Sequence, residues 1–244
     1  MKKLLICILC FASLKGISQI RLGVQGSFSS LNFWQNNGIT GLQANQFLWA
    51  QNGWQAGVFA EYDLGYSGLV VQPALMYATT GAHMGQTRDF STYNNLVVGF
   101  SDTHLHINTL RLPINLLYTY RFTSRWKVFG GLGPYIAKNL SGTEEGNVFG
   151  YAANDYATGS YHIKNTVKLN SDPSSAYAGN SNVASLDAGM DIMLGFQWKK
   201  LQISAAWMRG FAREYHTRYV NMGNQDWNFT VGYLLFGHER KPRL

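Results

Sequence analysis

The chain has 244 residues, with charged residues at 14%, aromatic residues at 14%, 26 glycines and a formal charge of +7. The charged fraction is far below the roughly 25% of an ordinary soluble domain, yet no segment beyond the leader approaches the ~20 unbroken apolar residues of a membrane helix. This excludes a helical membrane protein, a disordered chain (too aromatic) and a coiled coil (too few Glu, Lys and Leu).

In chain order, the first element predicted is an export leader. Lys2 and Lys3 form a basic region, Leu4 to Leu14 an apolar stretch, and Gly16 and Ser18 a small-residue cleavage site, so residues 1–18 read as a signal peptide and 19–244 as the mature domain. A lipoprotein leader acylated at Cys10 is the competing reading, but bulky Leu9 precedes that cysteine. Both cysteines, Cys7 and Cys10, lie in the leader, so the mature domain holds together without disulfides. Lys2, Lys3 and Lys15 leave with it, which makes the mature chain less basic than the formal charge suggests. No Lys/Arg run points to nucleic acid.

Eight segments then alternate apolar and polar residues at the strand period of two. They are about 20–29 (Leu22, Val24 and Phe28 opposite Arg21, Gln25 and Ser27), 53–64, 68–79, 104–121 (Leu110, Leu112, Ile114 and Leu116 opposite Thr109, Arg111 and Asn115), 126–137, 184–198 (Met190, Ile192 and Leu194 opposite Asp187 and Asp191), 201–211 and 226–236 (Trp227, Phe229, Val231, Tyr233 and Leu235 opposite Asn228, Thr230 and Gly232). Most reach the ~9–11 residues that cross a bilayer at a tilt. Short connections near 65–67, 122–125 and 199–200 alternate with long ones at about 30–52, 80–103, 138–183 and 212–225. An even strand number, short periplasmic turns and long outside loops are the signature of an outer-membrane barrel.

A soluble lipocalin-like barrel would alternate in the same way with its apolar face inward. The polar faces here, however, carry Gly, Ser, Gln and Asn rather than the Lys/Glu covering of a soluble surface. Aromatics also gather at segment ends: Tyr62, Tyr66, Tyr120, Phe122, Trp126 and Trp198 near the short turns, and Trp54, Tyr77, Tyr135, Trp207 and Trp227 near the long loops. Two such belts mark lipid–water boundaries. The fold class predicted is all-β, a transmembrane antiparallel up-and-down barrel of eight strands, integral to the outer membrane. Pro73, Pro113 and Pro134 fall inside predicted strands, where proline gives the ladder no donor, so bulges are expected there.

The stretch Thr109-Leu-Arg-Leu-Pro-Ile-Asn-Leu-Leu-Tyr-Thr-Tyr120 resembles the "Leu-x-Ile-Pro-Leu-x-x-x-Tyr" strand of the PorT-like outer-membrane β-barrel family, and Gly130-Gly-Leu-Gly-Pro-Tyr135 resembles the "Gly-x-Gly-Pro-Tyr" strand that follows it. Leu22–Ser29 and Asn228–Phe236 are similar to the family's opening and closing strands. The resemblance covers the mature chain and implies an integral outer-membrane protein, with a link to secretion for some members. It also implies a terminal aromatic read by the insertion machinery. Phe236 would serve, although the basic tail from His238 to Leu244 follows it.

Four groups carry candidate chemistry. The inward parity collects Arg21, Glu61, Asp63, Arg111, Lys127, Asp187 and Asp191, in a lumen only wide enough for side chains. Unpaired buried charge is very costly, so a salt-bridged plug is expected, with a gated polar path as the alternative. Asp102, His104 and His106 share one strand face at i, i+2 and i+4, with His83 in the same loop region. They are the weak metal candidates on what is predicted to be the outer side of the wall, where a polar collar is the plain alternative. No cofactor is called for. Ser101 with His104 is the nearest approach to a hydrolase pair, and nothing in the sequence fixes a base or oxyanion donor beside it. Tyr151, Tyr156 and Tyr161 in the third long loop suit a contact surface, Tyr161 to Leu169 could offer a strand edge, and Arg209, Arg213 and Arg218 could meet lipopolysaccharide phosphates. The reading is a monomeric, non-enzymatic barrel whose partners are outer-membrane lipid, lipopolysaccharide and a possible protein at the outside loops. A small barrel hydrolase acting on lipid or peptide is the alternative.

Overall fold

A computed structural model describes residues 20–37, 44–65, 68–89, 98–123, 125–150, 159–170, 182–211, 215–216 and 220–237. The predicted leader lies outside the described residues. Eight long strands carry the wall: β1 (Ile20–Asn37), β3 (Gln51–Asp63), β4 (Leu69–Asp89), β5 (Val98–Arg121), β6 (Trp126–Gly150), β10 (Leu186–Trp198), β11 (Leu201–Gly210) and β13 (Val220–Phe236). Each pairs antiparallel with the next in chain order, and β13 returns to β1 through Ser27↔Thr230 and Gly26↔Val231, which closes the ring. Closure leaves no edge in the membrane, where unpaired backbone groups would find no water.

The pleat sends every second side chain to the lumen. Val231, Phe229, Ile192, Leu194, Leu132 and Val58 are all exposed on the outside, whereas Ser29, Gln72, Arg111, Asn115, Asp226 and Asn228 are buried within. This polarity is the reverse of a soluble barrel, and it matches lipid outside and a polar interior. Trp126 and Trp198 lie tilted 6.1 Å apart beside the short turns, and Trp54 and Tyr77 lie 5.7 Å apart at the other rim. Tyr135 does not join that outer belt. It points inward, buried, between the outward Leu132 and Ile136 of its own strand. Tyr66 lies outside the described residues.

The short turns use left-handed backbone. Lys199 (φ 54°) forms the two-residue turn between Trp198 and Leu201. Gly68 (φ 96°) offers its carbonyl to Thr119 N–H at 2.7 Å, and a Cβ there would come within 2.3 Å of Thr119 O.

Two expectations need correction. The prolines cause no bulge: pairing skips two positions between Pro73↔Ile114 and Met76↔Arg111, and again between Pro113↔Tyr135 and Leu116↔Leu132, with the register unchanged. A Cβ on Gly133 would lie 2.2 Å from Ile114 O, so the glycines let β5 and β6 stay together past the prolines. The bulge between β5 and β6 instead falls at Asn108/Thr109, where Leu140 is extra.

The segments expected as long loops are also largely strand. β1, β4, β5, β6 and β13 run on above the membrane. β2 (Ala44–Trp49) pairs with β4, and β7 (Gly159–Thr166) pairs with β6. β8 (Lys168–Asn170) lies parallel to β9 (Asn182–Ala184), and β12 (Tyr215–His216) joins β9 and β13. Two parts of the third loop fold into the barrel mouth. Val167 and Val183 are buried against Ala82, Met84, Leu105 and Ile107, and Asn139 Nδ2 donates to Ala184 O at 2.8 Å. The loop therefore supplies an apolar stopper for the outer end of the lumen.

Candidate functional site

Below the stopper the lumen is filled by polar groups interleaved with two apolar clusters, Phe59, Ala74, Met76 and Leu234 in one and Val70, Leu117 and Phe129 in the other. Toward the periplasmic end, Arg21 meets Glu61 at 2.6 Å, and Glu61 Oε1 also accepts from Gln202 Nε2 at 2.5 Å and Gln72 Nε2 at 3.2 Å. In the middle, Arg111 reaches Asp226 at 3.2 Å, both side chains 1% exposed, and its guanidinium lies 5.1 Å from the centroid of the Tyr135 ring. Tyr135 donates its hydroxyl to Asp187 at 2.9 Å, and Asn115 Nδ2 donates to Asp191 at 3.0 Å. On the β1–β13 seam between these levels, Ser27 pairs with Thr230 (2.7 Å) and Ser29 donates to Asn228 (2.5 Å), and nearer the mouth Thr109 donates to Asn139 (2.6 Å).

Six of the seven predicted lumen charges, Arg21, Glu61, Arg111, Lys127, Asp187 and Asp191, are buried on the inward parity. Asp63 sits at the rim instead, where its carboxylate accepts Gly65 N–H at 2.8 Å and closes the periplasmic turn. Asp226 was missed as the partner of Arg111. It shares the parity of Asn228 and Thr230 but precedes the first apolar residue of its segment, so the alternation alone did not mark it.

The second group lies on the outer face of the wall above the membrane. His83 and His104 are directly opposed across the β4–β5 ladder, and Asp102 lies two residues from His104 on the same face. Among the described residues, His83, Asp102 and His104 each offer one ligand atom, all within 4.8 Å of one another. His83 Nε2 is hydrogen-bonded to Asp102 Oδ1. The His83 ring is sandwiched between His104 at 4.1 Å and Trp49 at 4.9 Å. His106 is not part of the ligand group, although its ring lies 6.5 Å from that of His104. Its spacing from His104 is visible along one strand, whereas His83 enters through cross-strand register, which spacing does not contain.

Gln51 organises these rings. Its side chain is buried at 8% exposure. Its Nε2 donates to Leu105 O at 3.3 Å and to His106 Nδ1 at 2.9 Å, and its Oε1 faces His104 Nδ1 at 3.3 Å. A carbonyl oxygen can only accept, so Leu105 O fixes which end of the amide is the donor. It follows that His106 Nδ1 accepts and His104 Nδ1 carries a proton, which leaves the lone pair of His104 on Nε2. Burial, reinforced by repulsion from His104 and opposed by Glu145, lowers the His106 pKa below 6.5.

Of the loop tyrosines, Tyr151 and Tyr156 lie outside the described residues, as do Arg213 and Arg218. Tyr161 is on β7 opposite Val148, so the segment to Thr166 extends the wall beside β6.

Residues 11–215 match the family described as outer membrane protein beta-barrel domain, and the chain belongs to it. Its fold is similar to the outer membrane protein OprG from Pseudomonas aeruginosa (12% identity, 91% of this chain and 99% of that one, TM-score 0.48). It is also similar to Neisserial surface protein A (10%, 88% and 97%, TM-score 0.38) and to Ail of Yersinia pestis in complex with the heparin analogue sucrose octasulfate (10%, 89% and 99%, TM-score 0.34). No curated protein matches the sequence.

Proposed function

We propose that this outer-membrane β-barrel is a non-enzymatic, non-conducting envelope protein of PorT-like type, exported through a cleaved signal peptide, whose extracellular wall and loops bind a partner or lipopolysaccharide. The observation that carries the reading is the doubly closed lumen, with ion-paired side chains in the middle and an apolar stopper at the mouth. Eight-stranded barrels have room for side chains and little else. A molecule so closed has its chemistry outside, and its strands extend well beyond the lipid there. A hydrolase reading would need a free base beside a nucleophile. Ser101 and His104, the pair that reading would use, stand three residues apart on β5 and so have opposite parity. In planar bilayers the wild-type protein is expected to give no stable single-channel current. Replacing 159–184 by a short turn should leave heat-modifiable mobility intact, expose Leu105 and Ile107, and allow small-ion leakage. A large steady current from the wild type would overturn the reading.

A further inference from the structure

We propose that His83, Asp102 and His104 form a binding site for a borderline-soft first-row divalent cation, zinc or copper(II), on the outer face of the extracellular wall. The donors are two imidazoles and a carboxylate, a set that suits these ions and leaves a coordination position open to the outside. Register makes the site: the direct opposition of His83 and His104 and the i, i+2 placement of Asp102 hold three ligand atoms within 4.8 Å. In tetrahedral zinc, ligand atoms lie about 3.3 Å apart at metal distances of about 2.0–2.2 Å. The group must therefore contract by up to about 1.5 Å at its widest, and the His83–Asp102 contact must open as the metal replaces their shared proton. The two rings are stacked with an interplanar angle of 16°. One must turn so that its in-plane lone pair converges on the ion, and their half-open surroundings allow it.

The independent observation is Gln51. A buried amide held by Leu105 O keeps the proton of His104 on Nδ1 and so presents Nε2 as the donor atom. A hydrogen bond to the non-ligating nitrogen is how proteins set the tautomer of a metal-bound histidine. The site lies six residues beyond Tyr77 along β4, about 20 Å at the strand rise, and so clears the lipid and faces water.

The test uses the mature protein, without a histidine tag, folded in detergent. Zinc is titrated against a chromophoric chelator, and cobalt is followed by its visible d–d bands. The expected result is one saturable equivalent, abolished by His83→Ala and by His104→Ala and unchanged by His162→Ala. Gln51→Ala should weaken binding about 10–100-fold, as loss of an orienting partner does. A readout that needs no variant is paramagnetic broadening: copper(II) added to the wild type should broaden the ring-proton resonances of His83 and His104 before that of His162. Absence of a saturable equivalent, or binding that survives both histidine substitutions, would overturn the proposal, as would broadening led by His162.

Discussion

Arg111 shows how a single residue is made tolerable inside the barrel. It is among the most deeply buried side chains, and it is held by Asp226, by the face of Tyr135 and by Met208 Sδ at 3.2 Å. Removing one partner of such a pair leaves an uncompensated charge, so Asp226→Ala should cost about 3–5 kcal/mol. The double change Arg111→Met with Asp226→Leu should recover most of that loss, as measured by urea unfolding in lipid vesicles. On the outer face the rule inverts. Val231→Arg or Ile192→Arg should cost about 2–4 kcal/mol, the penalty for arginine near the bilayer midplane. Thr230→Arg, one residue away, should instead act by overpacking the lumen and breaking the bond to Ser27, and so should not depend on bilayer thickness. Equal responses at 230 and 231 would mean that the faces are misassigned.

At the scale of elements, the membrane-spanning parts of the strands were legible and their extensions were not. Period-two alternation exists because lipid lies on one side and a polar lumen on the other. Above the membrane both sides are wet or covered by other strands, so the upper part of β6 (Thr143, Glu145, Asn147) carries no such pattern. The buried Val167 and Val183 are isolated apolar residues in a polar stretch, and only their three-dimensional return to the mouth gives them a role. Of the site residues, the lumen charges followed from parity. His83 and Asp226 needed register, Tyr135 was placed by its position near a strand end rather than by its parity, and Asp63 was parity-correct but taken by a turn.

The link between β6 and β7 makes a pH prediction. Glu145 receives Lys164 at 2.9 Å and His162 at 3.5 Å, both from β7. The hydrogen bond and charge of Lys164 hold its carboxyl below the ordinary 4.5. A depressed carboxyl contributes above its unfolded pKa and loses that contribution as pH falls through the folded value. The tie is therefore intact at neutral pH and weakens below pH 4.5. The pair is exposed, so the effect is local. After correction for intrinsic rates, amide protection in 159–166 should fall in acid while that of β10 and β11 holds, and Glu145→Gln should show the lower protection at neutral pH. Protection of β7 that ignores both would contradict this.

The whole molecule rests on one inversion, a polar interior inside an apolar wall, and β13 displays it most cleanly. Residues 19–244 contain no cysteine, since Cys7 and Cys10 both precede them. Single cysteines can therefore be placed from 227 to 235 without background and each given a spin label in vesicles. Labels at 227, 229, 231, 233 and 235 are expected to collide with oxygen dissolved in the lipid, whereas labels at 228, 230 and 232 are shielded from it. Accessibility without a period of two, or lipid contact at 228, 230 and 232 in place of their neighbours, would contradict the account of a closed barrel that faces lipid with its apolar side.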